Sequence, residues 1–222
     1  MKQNSQLVVV CRDILVDWKQ FSQPIYVGVE SGVLALIKNK LPINFVCGDF
    51  DSISDQEWQL ISQRQKQANF KLFKVNQAKD YLDSELAIMK AFELKLPFQQ
   101  IVIISNGNRW DMFLAQINFL RKYQQYQPIL IDQENYLFIL QTGSKFIFPE
   151  NLLKYHYISF FCFNSQKVIY NFTGCKYYSG TDIIINNQDV LAISNEFDLK
   201  VKQRPTIEIK LGTCIVVLSK NN

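Results

Sequence analysis

The hydrophobic pattern of the chain changes near residue 128, and this change limits the possible folds more than any other feature. Before it, short apolar runs such as QLVVV (6–10), PIYVGV (24–29) and INFVC (43–47) alternate with segments of helical periodicity. FKLFKV (70–75) and QIVIIS (100–105) continue the series. Strands that alternate with helices are typical of βαβ units, whose strands form a mostly parallel sheet. We therefore predict an α/β domain over residues 1–127.

After Pro128 the apolar runs follow one another closely, and turn residues rather than helical segments separate them. The runs are ILID, YLFIL, KFIFP, YISFFCF, KVIYNF, DIIIN, VLAIS, FDLKV, TIEIKL and TCIVVLS. Many short strands joined by turns favour a sandwich of antiparallel sheets. We predict a β-sandwich domain over residues 128–222, so the fold class is α/β followed by all-β.

Composition and charge exclude several classes of protein. Hydrophobic residues make up 48% of the 222 residues, which is enough for a packed core. The net charge of +4 is spread along the chain without a block of like charges, which argues against a nucleic-acid or membrane-surface partner. The apolar runs are too short for a membrane span, and the N-terminal run is too short for a signal peptide. We expect a cytoplasmic protein.

The sequence also argues against disulfides, a zinc site and catalysis by histidine. The five cysteines show no C-x-x-C spacing and lie in or beside apolar runs, which favours buried free thiols over disulfides or a zinc site. The single histidine, His156, is not accompanied by a nucleophile motif. We expect His156 to have a structural or surface role.

Acidic side chains and one arginine follow three of the predicted strands. They are Asp49 and Asp51 after the strand at 43–47, Asp80 and Asp83 after the strand at 70–75, and Arg109 and Asp111 after the strand at 100–105. Because ligands of parallel α/β sheets bind outside the carboxyl ends of the strands, we expect these side chains to converge on one crevice.

The chemistry of this group points to a metal ion and phosphate. Carboxylates crowded together raise one another's pKa and oppose folding, and a bound Mg²⁺ removes that repulsion while sharing its oxygen ligands with substrate phosphates. The planar guanidinium of Arg109 suits a phosphate, and Gly107 allows a close backbone approach. A P-loop motif is absent from the sequence. Aspartate is also a favoured cap and turn residue, so a structural role for each aspartate remains open.

Four motifs occur in a fixed order: GDFDSI (48–53), KDYLDSELAI (79–88), GNRWD (107–111) and ISNEF (193–197). Together they resemble the thiamine pyrophosphokinase family, whose members typically read GDFDS, a KDxTDxxLAL-like stretch, GGRxDH, and SNEF near the C-terminus. The resemblance spans about residues 26 to 218 and includes YVGVESGVLALI (26–37). It implies the same α/β-then-β layout that the hydrophobic pattern predicts.

The resemblance implies a transferase of thiamine diphosphate biosynthesis. Such an enzyme moves a pyrophosphoryl group from ATP to the hydroxyl of thiamine and requires Mg²⁺. It gives thiamine diphosphate and AMP. The resemblance also implies a homodimer, with the site between the α/β domain of one subunit and the β domain of the other.

Carried onto this chain, the family's site residues fall into three groups. Asp49, Asp51, Asp80 and Asp83 are expected to hold Mg²⁺ and the phosphates, and Arg109 completes the catalytic set. Ser52, Lys79 and Asp111 are expected to contact the nucleotide and substrate, and Ser194 and Asn195 the thiamine pyrimidine. Either Asp83 or Asp51 accepts the hydroxyl proton, and Phe197 is a candidate aromatic face for the flat thiamine cation.

The chain departs from the family pattern at several positions. Glu30 stands where an aspartate is usual, and Leu82, Asn108 and Met112 replace a common Thr, Gly and His. Two alternatives stay open, and the departures at Leu82, Asn108 and Met112 motivate the second. One is a pyrophosphokinase for another alcohol, such as a pterin. The other is a catalytically silent chain that binds thiamine or a nucleotide as a sensor.

Overall fold

The computed structural model describes residues 5–75 and 81–221. The chain divides into two compact units, Met1–Gln133 and Glu134–Asn222. This division lies a few residues beyond the predicted boundary at 127/128. The reason is that the ILID segment supplies a strand, Ile129–Ile131, that pairs in parallel with Gln100–Ile104 of the first unit.

The first unit is an α/β sheet, as the alternating pattern predicts. Its strands are β1 (Gln6–Val10), β2 (Pro24–Val29), β3 (Phe45–Gly48), β4 (Lys71–Lys74), β5 (Gln100–Ile104) and β6 (Ile129–Ile131). Its helices are α1 (Gly32–Lys38), α2 (Asp55–Ala68), α3 (Asp83–Glu93) and α4 (Trp110–Lys122). The strand order is β6-β5-β1-β2-β3-β4, and all neighbours are parallel.

The centre of this sheet is formed by β1 and β5. Leu7 to Val10 and Ile101 to Ile104 are fully buried. Strands that are covered on both faces read as continuous apolar runs rather than as alternating ones, which explains VVV and IVII in the sequence. The chain runs outward from β1 through β2, β3 and β4, then returns to the other side of β1 to form β5. The order therefore reverses at β1 and β5, the point where ligands of such sheets bind.

The second unit consists of two antiparallel sheets, which confirms the predicted β-sandwich class. One sheet has the order β12-β9-β14-β7 and the other β11-β10-β13-β8. The strands are β7 (Asn135–Gln141), β8 (Lys145–Ile147), β9 (Tyr157–Cys162), β10 (Lys167–Thr173), β11 (Asp182–Asn186), β12 (Asn195–Glu196), β13 (Thr206–Leu211) and β14 (Thr213–Ser219). The buried Phe148 lies in its core, with ring centroids 5.0 Å from Phe146 and 5.7 Å from Phe172.

Two segments that we predict as strands of the second unit are not strands in the structure. The segments VLAIS (190–194) and FDLKV (197–201) are irregular apart from a single bridge at Phe197, and only the two-residue strand β12 lies between them. Apart from the buried Phe197, most of their apolar side chains are exposed: Leu191 is 78% and Leu199 66% accessible. Among the helices of the described ranges, none is both long enough and apolar enough to span a bilayer.

Candidate active site

Three carboxylates meet at the carboxyl edge of β2 and β3. Glu30 directly follows β2, and Asp49 and Asp51 follow β3. One oxygen from each side chain lies within 4.8 Å of the others. This spacing is compatible with a shared cation, and a set made only of carboxylate oxygens fits Mg²⁺, which prefers hard oxygen ligands. The sequence places Asp49 and Asp51 in the metal set, and the structure adds Glu30.

The Glu30 carboxylate also holds the turn that carries the two aspartates. Its Oε1 accepts hydrogen bonds from the backbone N–H groups of Asp49 (2.6 Å) and Phe50 (3.3 Å), and its Oε2 accepts from Phe50 (3.1 Å). A Cβ atom at Gly48 would lie 2.0 Å from Glu30 Oε1. Glycine is therefore required at position 48, because any side chain would displace the carboxylate.

Backbone conformation and charge show that this turn is under strain. Glu30 and Phe50 both have left-handed φ angles, 50° and 61°, which cost energy for residues with side chains. Burial raises the pKa of Glu30, the N–H groups of Phe50 and Asp49 lower it, and the charges of Asp83 and Asp49 raise it further. The negative charge of Glu30 is thus disfavoured in the ion-free protein, and a cation would stabilise it.

Asp83 lies near this group. It is the first residue of α3, and α3 packs against β1, β2 and β3. Its charge acts on both Glu30 and Cys11, which places the Asp83 carboxylate within electrostatic range of the acidic turn. Ser52 lies exposed in the turn between β3 and α2. The predicted site residues Lys79 and Asp80 fall outside the described ranges.

Arg109 and Asp111 form an ion pair at the start of α4. The Arg109 Nε atom donates to Asp111 Oδ1 at 3.1 Å, and Nη2 donates to Oδ2. The hydrogen bond from Arg109 and that from the Met112 N–H lower the pKa of Asp111, and the same pairing raises the pKa of Arg109. One side of the guanidinium is therefore occupied by Asp111, which leaves its outer end for another anion.

The point where the strand order reverses lies between β1 and β5. The Cys11 N–H donates to the Ile104 carbonyl at 2.8 Å and joins the ends of these strands. Burial raises the pKa of the Cys11 thiol to about 12, so this thiol stays protonated at neutral pH and is a poor nucleophile. Arg12 follows, and its Nη1 atom donates to Ser31 Oγ at 3.0 Å.

In the second unit, backbone groups already occupy most of the Asn195 side chain. Its Oδ1 accepts from the N–H groups of Tyr177 (3.2 Å) and Glu196 (2.8 Å), and its Nδ2 donates to the Tyr177 carbonyl (3.0 Å). Burial raises the pKa of the Cys175 thiol, and hydrogen bonds from the side chains of Ser179 and Asn195 lower it, so the second amide hydrogen of Asn195 is also in use. Ser194 has a left-handed φ of 59°, and its N–H donates to Ser159 Oγ at 3.0 Å.

In the second unit, Phe197 and His156 make contacts that stabilise the fold rather than an open site. Phe197 is buried, with its ring 5.1 Å from that of Phe148, so it is a core residue rather than an open aromatic face for thiamine. Glu196 Oε2 lies 2.6 Å from Lys176 Nζ and 3.3 Å from His156 Nε2. His156 thus lies beside a surface ion pair formed by Glu196 and Lys176.

Two further residues at the edge of the first unit were not found from the sequence. Asp132 directly follows β6, and its carboxylate approaches Gly107, where an added Cβ would lie 2.9 Å from Asp132 Oδ2. Arg12 is the second residue after the run at 6–10, since Cys11 lies between them. Both lie within a few residues of a strand end, as Asp49 and Asp51 do, so the same rule would have found them.

These observations describe an enzyme-like α/β sheet with a candidate cation site at its carboxyl edge, joined to an all-β unit. The sequence profile "Thiamin pyrophosphokinase, catalytic domain" matches residues 18–131. Thiamine pyrophosphokinase of Bacillus subtilis is 30% identical over 197 residues, which cover 88% of this chain and 87% of that protein.

Solved structures agree with this similarity. The crystal structure of thiamine pyrophosphokinase from Bacillus subtilis has a TM-score of 0.77 at 28% identity, covering 98% of this chain and 99% of that one. Thiamin pyrophosphokinase from Candida albicans shares the fold, with a TM-score of 0.70 at 15% identity over 98% of this chain and 90% of that one. The chain belongs to the thiamine pyrophosphokinase family and is an enzyme of that class.

Proposed function

We propose that this enzyme transfers a pyrophosphoryl group from ATP to the hydroxyl of thiamine and requires Mg²⁺. The observation that carries the proposal is the convergence of Glu30, Asp49 and Asp51 within 4.8 Å, in a chain of this family. Crowded carboxylates at the carboxyl edge of a parallel sheet match what a metal-assisted phosphoryl-type transfer needs.

The residues that would hold the metal ion are Glu30, Asp49 and Asp51, with Asp83 close to them and Asp80 retained as a predicted ligand. When bound there, Mg²⁺ would neutralise charge on the phosphate oxygens. The protein's own contribution is to fix these oxygens before substrate arrives. The N–H groups of Asp49 and Phe50 orient Glu30, and the Asp51 N–H donates to Asp49 Oδ1 at 3.3 Å.

In the proposed reaction, the thiamine hydroxyl oxygen forms a bond to the β-phosphorus of ATP. The bond between this phosphorus and the oxygen bridging to the α-phosphorus breaks, and AMP leaves with the electron pair. The hydroxyl proton passes to a carboxylate. Asp83 suits this role better than Asp51, because Asp83 lies outside the three-carboxylate group and a carboxylate that binds a metal ion is a weaker base.

Binding of thiamine is proposed for the second unit through Ser194 and Asn195. Ser194 is exposed, so its hydroxyl can donate to a ring nitrogen of the pyrimidine. The family resemblance further supports a cytoplasmic homodimer in which the second unit of one subunit completes the site of the other. In the first unit, Ser52, Lys79, Arg109 and Asp111 are the proposed contacts to nucleotide and substrate.

The test measures AMP release from ATP and Mg²⁺ with and without thiamine, together with mass detection of thiamine diphosphate. We expect thiamine-dependent AMP and the diphosphate product. For the proton acceptor, Asp83→Asn is compared with Asp55→Asn, because both aspartates are the first residue of a helix. Asp83→Asn should lower kcat by about 100-fold or more, and Asp55→Asn should leave it unchanged.

The other outcomes separate the alternatives. Wild-type turnover by Asp83→Asn would exclude Asp83 as the base and leave Asp51. If AMP release depends on a pterin alcohol instead of thiamine, the acceptor is that alcohol. If thiamine binds but no AMP is released under saturating Mg²⁺ and ATP, the chain is a sensor rather than an enzyme.

A further inference from the structure

Arg12 lies at the point where the strand order of the first unit reverses. It follows β1, which has parallel neighbours on both sides, β2 and β5. The Cys11 N–H bond to Ile104 fixes the backbone immediately before it. The crevice outside these strand ends is where open α/β sheets bind their ligands. A cationic side chain that leaves β1 at this point therefore faces the region that a nucleotide would occupy.

The Arg12 guanidinium is held beside the acidic turn by a neutral partner. Its Nη1 donates to Ser31 Oγ at 3.0 Å, and Ser31 is the residue after Glu30. Arg12 is exposed, and in the part of the chain that the structure describes no carboxylate forms an ion pair with it. The guanidinium keeps most of its N–H donors for an incoming anion.

Two other cations of the first unit are paired with carboxylates. Arg109 is bound side-on by Asp111, and Lys38 Nζ lies 3.1 Å from Asp13 Oδ2. The phosphate chain of ATP must also approach Glu30, Asp49 and Asp51, which repel it. An arginine whose planar fork matches the oxygens of a phosphate is suited to offset that repulsion.

We propose that Arg12 binds the phosphate chain of the nucleotide and that Ser31 positions its guanidinium for this contact. The inference rests on the proposed function, since it takes the nucleotide to be the phosphate donor. Arg12 is a specificity residue in this scheme. It discriminates a nucleotide that carries a phosphate chain from a nucleoside that does not.

The test measures equilibrium binding by calorimetry in the presence of Mg²⁺, without turnover. The ligand is the ATP analogue in which a methylene group joins the α- and β-phosphorus atoms, and adenosine is the phosphate-free comparison. Arg12→Ala should weaken binding of the analogue about tenfold or more and leave adenosine binding unchanged. Arg12→Lys should restore part of the affinity, because lysine keeps the charge and loses the fork.

Two further variants make the result specific. Arg204→Ala removes an exposed arginine of the second unit and should bind the analogue like the wild type. Ser31→Ala frees the guanidinium and should weaken binding by a smaller factor than Arg12→Ala. Arg12 is exposed, so the Arg12→Ala variant is expected to unfold at the wild-type temperature.

The outcomes distinguish this inference from the proposed function. If the wild type binds the analogue, forms no thiamine diphosphate, and loses affinity in Arg12→Ala, the proposed reaction fails and the Arg12 contact stands. If Arg12→Ala binds the analogue as tightly as the wild type, or if adenosine binding falls by the same factor, the contact is overturned. Failure of the wild type to bind the analogue at all would overturn it as well.

Discussion

At the end of β2, the half-buried carboxylate of Glu30 lies against the backbone N–H groups of the turn after β3. Those hydrogen bonds stabilise its charged form, while burial and the charges of Asp83 and Asp49 oppose it. Burial is the largest of these effects, so the net result is a raised pKa. A residue in this position gives up stability in the ion-free protein, and it binds a cation more readily for the same reason.

Glu30→Gln separates these two effects. The variant keeps one oxygen for the Asp49 N–H and removes the charge, so Mg²⁺ affinity should fall by about 10- to 100-fold. In the ion-free protein the sign is opposite. Because the folded-state pKa of Glu30 is raised, its contribution to stability is present below its ordinary pKa of 4.5 and is lost as pH rises through the higher folded value. Glutamine does not ionise, so the variant loses no stability in this way as pH rises.

The stability of Glu30→Gln relative to wild type should therefore increase as pH rises from about 4 to 7. Thermal unfolding in a chelator across this range measures the trend, and Mg²⁺ titration measures affinity. Glu208→Gln, at an exposed position of β13, is the matched control. Superimposable pH profiles for wild type and Glu30→Gln would show that the buried charge of Glu30 has no energetic consequence.

Among the elements, α2 shows how far local sequence rules extend. Ser54 and Glu57 have the spacing of a capping box, and the structure contains it. Ser54 Oγ accepts from the Glu57 N–H at 3.4 Å, and the Ser54 N–H donates to Glu57 Oε2 at 2.9 Å. The Ser54 hydroxyl is the largest cause that lowers the pKa of Glu57, followed by the Ser54 N–H.

Ser54→Ala should destabilise the first turn of α2 in a pH-dependent way. Since the folded-state pKa of Glu57 is lowered, its contribution is present above its ordinary value and is lost as pH falls through the folded value. The difference in unfolding temperature between Ser54→Ala and wild type should be largest near neutral pH and should shrink in acid. Ser62→Ala, within the same helix, is the control. A difference that does not change with pH would mean that Glu57 takes no part in the cap.

The order of elements could be predicted because hydrophobic period and capping are local. The strand order could not, since it depends on contacts between residues far apart in the sequence. Because the sequence pattern assigns ILID to the second domain, Asp132 was not considered as a site residue. In the structure it follows β6 at the same edge as Asp49. Likewise, VLAIS and FDLKV have strand-like composition, but most of their apolar side chains, such as Leu191 and Leu199, are exposed in the described structure. Composition alone does not separate a buried strand from an exposed apolar segment.

The candidate site was predictable where a strand end and a carboxylate coincide. Asp49 and Asp51 are of this kind. The pairing of Arg109 with Asp111 was not predictable, because two oppositely charged residues in one motif can equally bind a shared ligand or each other. The structure changes the interpretation of Arg109, whose guanidinium is partly occupied. It directs attention to Arg12, whose hydrogen-bond partner is a neutral serine.

Across the whole molecule, the two units build separate cores with different residues. At the centre of its sheet the first unit buries aliphatic side chains such as Val9 and Ile103. The second unit relies on aromatic packing around Phe148, whose ring lies 5.1 Å from Phe197 and 5.7 Å from Phe172. The proposed cation ligands belong to the first unit, and Ser194 and Asn195 belong to the second. Loss of packing in one unit should therefore affect metal binding and thiamine binding differently.

Phe148→Ala tests this division. Phe148 is 0% exposed, so removing its ring should cost about 3–5 kcal/mol of unfolding free energy. Its neighbour Ile147 is 49% exposed, and Ile147→Ala should stay within about 0.5 kcal/mol of wild type. Urea unfolding followed by circular dichroism measures both values. Because Glu30, Asp49 and Asp51 lie outside this aromatic core, Phe148→Ala should weaken thiamine binding while Mg²⁺ affinity, measured below the transition, stays near the wild-type value. An equal loss of both affinities would show that the metal site depends on the second unit's core, and a cost under about 1 kcal/mol would show that the cavity collapses around the missing ring.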